Sequence, residues 1–148
     1  MANSIKIIFK SFTIIFCTIL FIGCSKNEAV LTPQQQAIKN LTGLGNRFWQ
    51  LQDLYVNNIR QTLSTQQKGY NKTYTLIIGA ESNGTLMNSD GYKGVWEIVG
   101  DKQLKETFTN ISGLPVQITY IINELSGNKL DISYTVNNTL VREVYYAA

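Results

Sequence analysis

From Arg47 to the end of the chain, apolar and polar residues alternate with a period near two. Successive side chains of a strand point to opposite faces, so this period predicts strands with one buried face. Residues 48–55 place Trp49, Leu51 and Tyr55 on one face, and residues 72–80 alternate Tyr74, Leu76 and Ile78. Residues 94–99 alternate Trp96 and Ile98, residues 116–124 alternate Ile118, Tyr120 and Ile122, and residues 129–136 alternate Leu130, Ile132 and Tyr134. Shorter runs at 85–88, 103–109 and 140–146 fit the same pattern. Turn residues separate these runs: Asn83-Gly84 reads as a two-residue hairpin turn, Asp90-Gly91, Gly100-Asp101 and Ser126-Gly127-Asn128 follow, and Asn137-Asn138 suits a type I′ turn. Residues 57–71, rich in Gln, Asn and Thr, lack a regular pattern and read as a long loop or a ragged strand. About eight short, evenly spaced strands imply an all-β, antiparallel up-and-down meander, closed as a barrel or folded as a sandwich. Closure is favoured because it leaves no exposed strand edge.

Upstream the period is helical and short. Thr32 is an N-cap candidate, Pro33 suits the first helical position, residues 34–41 are helix formers, and Gly43 is a stop signal. Ala37 and Leu41, four apart, share one face, so this short N-terminal helix is expected to lie across one mouth of the strand assembly.

The first two dozen residues follow neither period. Lys6 and Lys10 precede an apolar run from Phe12 to Ile22, and the run ends in Leu20-Phe21-Ile22-Gly23-Cys24. An apolar core of this length suits a signal peptide better than a spanning helix, which needs about 20 residues. A thiol directly after a small residue is the pattern of a bacterial lipobox, with cleavage before Cys24 and lipid on Cys24. Phe21 stands where lipoproteins usually have Leu, and an uncleaved anchor helix or a plain secretory signal are the competing readings. The expected layout is a lipoprotein signal peptide over 1–23, a tether over 24–31 and one β-domain over 32–148. One acyl chain anchors weakly, and the multiply acylated cysteine of a lipoprotein supplies the second hydrophobic signal that stable anchoring needs. Ser25, rather than Asp, after the cysteine resembles the outer-membrane class of Gram-negative lipoproteins.

Composition narrows the chemistry. Cleavage before Cys24 leaves 125 of the 148 residues, enough for a real core. With Lys6 and Lys10 removed, 11 basic residues face 10 acidic ones, a balance that gives no electrostatic reason to expect a nucleic-acid partner. Both cysteines, Cys17 and Cys24, lie in the leader, so the β-domain holds no disulfide and no thiolate metal cluster. The chain has no histidine, which removes the commonest general base and zinc ligand. Neither a cofactor nor a metal is expected, and no catalytic residues are assigned. Asp53, Glu97, Glu106 and Glu124 fall on strands and could face a cavity as a paired-carboxylate site, but charged residues on strands are expected on the outer, solvated face.

Several of these runs together carry a family resemblance. The stretch Gly45-Asn46-Arg47-Phe48-Trp49-Gln50-Leu51 resembles the Gly-x-Trp strand that opens lipocalins. Tyr74-Thr75-Leu76-Ile77-Ile78, Asn83-Gly84-Thr85, Gly94-Val95-Trp96 and Leu130-Asp131-Ile132-Ser133-Tyr134 resemble strands of the lipocalin-like lipoproteins of Bacteroidetes. The resemblance spans residues 41–146. It implies an eight-stranded barrel and a secreted or lipid-anchored address. Arg47 stands where lipocalins place the glycine, and Arg142 is the last-strand candidate for the lipocalin arginine that packs on the tryptophan.

Aromatic residues occur on most of the strands. Trp49, Tyr55, Tyr74, Trp96, Tyr120 and Tyr134 are candidate lining for a pocket that takes a small, partly apolar ligand, or else ordinary core filling. Arg60, Lys68 and Tyr70 make the 57–71 stretch a candidate contact loop for another envelope protein. The expected function is therefore that of a non-catalytic, lipid-anchored binding protein, with an interaction or inhibitor module as the alternative.

Overall fold

The computed structural model describes residues 30–148, apart from 44, 78, 80, 81 and 111. The leader and the lipidation site at Cys24 lie outside the described residues. Leu31–Ala148 form one unit.

Helix α1 (Pro33–Thr42) begins as the sequence predicts. The Thr32 side chain accepts from the Gln35 N–H, and the Gln35 side chain returns the bond to the Thr32 N–H, a reciprocal cap with Pro33 at the first helical position. Gly43 ends it at φ 64°, where a Cβ would be strained. The helix buries one face: Ala37, Ile38, Leu41 and Thr42.

Nine strands follow: β1 (Asn46–Val56), β2 (Ile59–Gln61), β3 (Asn71–Leu76), β4 (Asn83–Asn88), β5 (Lys93–Val99), β6 (Gln103–Thr109), β7 (Pro115–Leu125), β8 (Lys129–Val136) and β9 (Thr139–Ala147). Each pairs antiparallel with its neighbour, and β9 returns to pair with β1 from Trp49↔Ala147 to Val56↔Val141. The barrel is thus closed by eight strands, β1 and β3 to β9, with β2 as a short side piece. Helix α1 covers one end. Its Leu41 carbonyl accepts from Trp49 Nε1 at 2.9 Å, Gln34 Nε2 donates to the Ile98 carbonyl at 2.8 Å, and Asn40 Nδ2 donates to the Leu125 carbonyl at 3.0 Å. Strands β1, β5 and β7 are thereby tied to the same short helix.

Three local expectations are corrected. Residues 57–71 are not a loop throughout: Asn57 and Asn58, at φ 48° and 65°, turn β1 tightly into β2, and one helical turn, α2 (Thr65–Lys68), precedes β3. Asparagine tolerates the left-handed region, so two consecutive asparagines serve as a hairpin turn here and again at Asn137 and Asn138. Asn83-Gly84 is not a turn but the start of β4, opposite Glu97 and Trp96. Gly84 is required there for space: a Cβ would stand 2.0 Å from the Thr75 carbonyl and 2.7 Å from Trp96 Nε1. Finally, a register shift in β1 between Leu51 and Asp53 turns Tyr55 away from the face of Trp49 and Leu51. One extra residue in a strand of period two inverts every side chain beyond it.

Candidate functional site

Inward-facing residues divide the lumen into two levels. Near α1 they are sealed: Trp49, Tyr74, Trp96, Ile98, Leu130 and Tyr145 are all essentially inaccessible. Towards the opposite end the same faces of the same strands become half-buried, at Leu54, Phe108, Ile118, Tyr134 and Glu143, as does Tyr70 just before β3. That end has no counterpart of α1 among the described residues. The fold therefore makes a barrel with a filled floor and a partly solvated mouth.

The filled part is not purely apolar. Lys72, on β3, and Glu106, on β6, meet across the lumen with both residues about 2% exposed. The Lys72 ammonium donates to Glu106 Oε1 at 3.0 Å and Oε2 at 3.1 Å, and to the Tyr120 hydroxyl at 3.1 Å. Tyr120 in turn donates to Glu106 Oε2 at 3.2 Å, and Tyr74 donates to Glu106 Oε1. Four donor contacts saturate the Glu106 carboxylate. The ammonium also lies 4.6 Å from the Tyr120 ring centre and 5.6 Å from that of Tyr145, within range of cation–π attraction. Among the described residues no buried side-chain nitrogen or oxygen lacks a partner.

Burial is the largest single influence on Lys72 and disfavours its charge, but attraction to Glu106 together with Tyr145, Tyr74 and Tyr120 outweighs it and holds the ammonium well above its ordinary pKa. Burial, followed by proximity to Glu106, pushes the Tyr74 hydroxyl well up, and burial does the same for Tyr145 and Tyr120. At neutral pH the Lys72 ammonium is charged and the three phenols are neutral.

Glu143, on β9, sits one level nearer the mouth. Tyr145 donates to its Oε2 at 2.7 Å and Tyr134 to its Oε1 at 3.4 Å, while Lys72 Nζ is 3.9 Å away and the side chain is 15% exposed. Burial and the charge of Glu143 push the Tyr134 hydroxyl up to about 12. Tyr120 and Tyr134 meet edge to face at 5.2 Å.

The sequence-predicted aromatics separate by level. Trp49, Tyr74 and Trp96 are floor, Tyr120 joins the polar cluster, and Tyr134 lines the mouth. Tyr55 is on the outer face, under the Arg142 guanidinium at 5.1 Å from its ring. Arg142 therefore does not pack on Trp49; Arg47 does, at 5.7 Å, while also donating to the Asn40 carbonyl. Arg142 instead makes a two-pronged pair with Asp131 on the outer face, at 2.8 and 2.6 Å. Burial would raise the Asp131 carboxyl, but hydrogen bonds from Arg142 and Asn123 outweigh it and hold the pKa below its ordinary value.

Of the expected contact loop, Tyr70 turns inward and accepts from Asn88 Nδ2 at 3.1 Å. Arg60 and Lys68 line a cleft of about 550 Å³ beside β1, together with Leu51, Asp53 and Leu63. Arg60 is held there by Asp53.

The expectation that Glu106 faces water is overturned. It shares the parity of Leu104 and Phe108, and inside the barrel it has a cation to meet. Lys72, at the parity of Tyr74, and Glu143, at the parity of Tyr145, were missed for the same reason. A charged residue in phase with the apolar face was the available signal. Among the described residues, no three His, Cys, Asp or Glu side chains gather closely enough to hold a metal ion. No family model matches this chain, and no curated protein or solved structure matches it either.

Proposed function

We propose that this chain is a lipid-anchored protein of the cell envelope, held at the outer membrane through Cys24, whose barrel binds a small, partly apolar ligand at its open end without catalysing a reaction. The observation that supports this is the gradient of burial along one set of strands, from a sealed aromatic floor to a half-buried rim. Half-buried aliphatic and aromatic side chains with tyrosine hydroxyls and one carboxylate offer the mixture that small-molecule sites use. On this reading Trp49, Tyr74 and Trp96 are floor and support rather than lining, and Tyr134 is the contact that remains from the sequence-based set, with Tyr120 just beneath it. The saturation of Glu106 and the firm protonation of Lys72 favour a binding role over acid–base or nucleophilic work, which needs a group free to accept or give a proton.

Native mass spectrometry of the protein purified gently from its host tests this. A reproducible small adduct that leaves on unfolding, and that Tyr134→Ala depletes, is the expected result. A clean apo mass after exposure to host extract overturns it.

The flank cleft supports a second reading, a contact surface for another envelope protein. Lys68 and the Arg60–Asp53 pair stand beside Leu51 and Leu63 there. A co-purifying protein that disappears in the double variant Arg60→Ala, Lys68→Ala would favour it.

A further inference from the structure

Above Trp49 and the Arg47 that packs on it, the lumen carries more negative than positive charge. Among the described residues above Trp49, the inward-facing charges are Lys72, Glu106 and Glu143: one cation and two carboxylates. Lys72 is committed to Glu106, which it meets at 3.0 and 3.1 Å, and it stays 3.9 Å from Glu143. Glu143 accepts from two phenols and shares the Lys72 ammonium only at 3.9 Å, beyond hydrogen-bonding distance, and its side chain is 15% exposed. A carboxylate in partly desolvated surroundings is stabilised most by an opposite charge that also hydrogen-bonds to it.

The same lumen already shows how it holds an ammonium. Lys72 is gripped by a carboxylate on one side and tyrosine faces on the others. Glu143 and the half-buried ring of Tyr134 repeat part of that arrangement one level up, on the side reached from solvent. We propose that the mouth of the barrel is a site for a primary alkylammonium ligand, its charged head on Glu143 and against Tyr134, its apolar body along Leu54 and Ile118. A bound monocation brings the part of the lumen above Trp49 to charge balance, and its alkyl body suits the half-buried aliphatic rim. Anionic ligands meet Glu143 head-on and are rejected. This rests on the reading of the open end as the binding site.

Calorimetric titration of the purified full chain with three four-carbon probes separates the two ideas: n-butylammonium, n-butanol and butyrate. The inference expects n-butylammonium to bind about tenfold or more tightly than n-butanol, with no detectable butyrate binding. It expects Glu143→Gln to remove the preference for the amine over the alcohol. If amine and alcohol bind alike, the ammonium inference falls and the open-end site stands. If none of the three binds, the open-end site falls with it. The probe comparison on the unaltered protein decides the matter even if Glu143→Gln fails to fold.

Discussion

The two halves of the lumen are built from the same strands yet do different work. Beneath α1, inward residues reach full burial, and even a lysine and a glutamate are sealed among aromatics. At the opposite end the same strands carry tyrosines, aliphatics and Glu143 that keep contact with solvent. The difference comes from ten residues of helix laid across one end. Leu41 and its neighbours exclude water from the deep half and supply the carbonyl that Trp49 needs. Burial is concentrated where the barrel is plugged, and contact with solvent where it is not.

That contrast breaks most severely at the buried ion pair. Lys72→Met leaves Glu106 uncompensated and should cost about 3–5 kcal/mol of unfolding free energy in a urea titration. The paired change Lys72→Met with Glu106→Leu should recover much of that loss, because a desolvated pair is worth little more than well-packed apolar groups. If the single variant costs less than about 1 kcal/mol, the deep half is wetter than described.

Next in size is the plug itself. Leu41→Ala should destabilise the barrel by about 3 kcal/mol, through lost transfer energy and a residual cavity. It should also raise the accessibility of the Trp49 indole to an aqueous fluorescence quencher. A loss of stability without that change would separate the helix from the sealing of the floor.

Alkaline pH sharpens the comparison without mutation. Tyr70, Tyr74, Tyr120, Tyr134 and Tyr145 all have folded pKa values above their unfolded value of about 10, as does Lys72 above its own. A raised folded value contributes stability that is complete below the unfolded pKa and is lost as pH rises through the folded one. The protein should therefore weaken above about pH 10. Tyrosinate absorbance should show Tyr134 ionising near 12 in the folded state, and Tyr74 and Tyr145 appearing only as the barrel opens. Coincident titration of all eight tyrosines below the unfolding transition would abolish the distinction between floor and mouth.

The smallest effect belongs to the rim. Tyr134→Phe removes one long hydrogen bond from a half-buried hydroxyl and should change stability by less than about 1 kcal/mol. On the proposed reading, binding at the mouth should weaken more than stability does.

Much of this architecture was legible in the residues. The capped helix from Thr32 to Gly43 announces itself by local chemistry: a Thr cap, a Pro at the first turn and a Gly stop each act within a few residues. The strands at 103–109 and 129–136 were readable to the residue, because alternation is a local consequence of strand geometry. The type I′ asparagine turn at Asn137 was visible for the same reason, although its twin at Asn57 was hidden by the irregular stretch that follows it.

What only the tertiary structure decided is which way each face points and what it meets. The register shift after Leu51 sends Tyr55 outward, and no local propensity marks the place of a bulge. Gly84 looks like a turn residue and is a strand residue, because the constraint on it comes from Trp96 on the next strand and the Thr75 carbonyl on the previous one. Glu106 looks like a surface charge and is buried, because Lys72 lies 34 positions away in sequence and 3.0 Å away in space. Period and capping are properties of neighbours along the chain, so the sequence by itself determines them. Charge pairing, close approach and the closure of one end against the openness of the other are properties of neighbours across the barrel, and they exist only once it is closed.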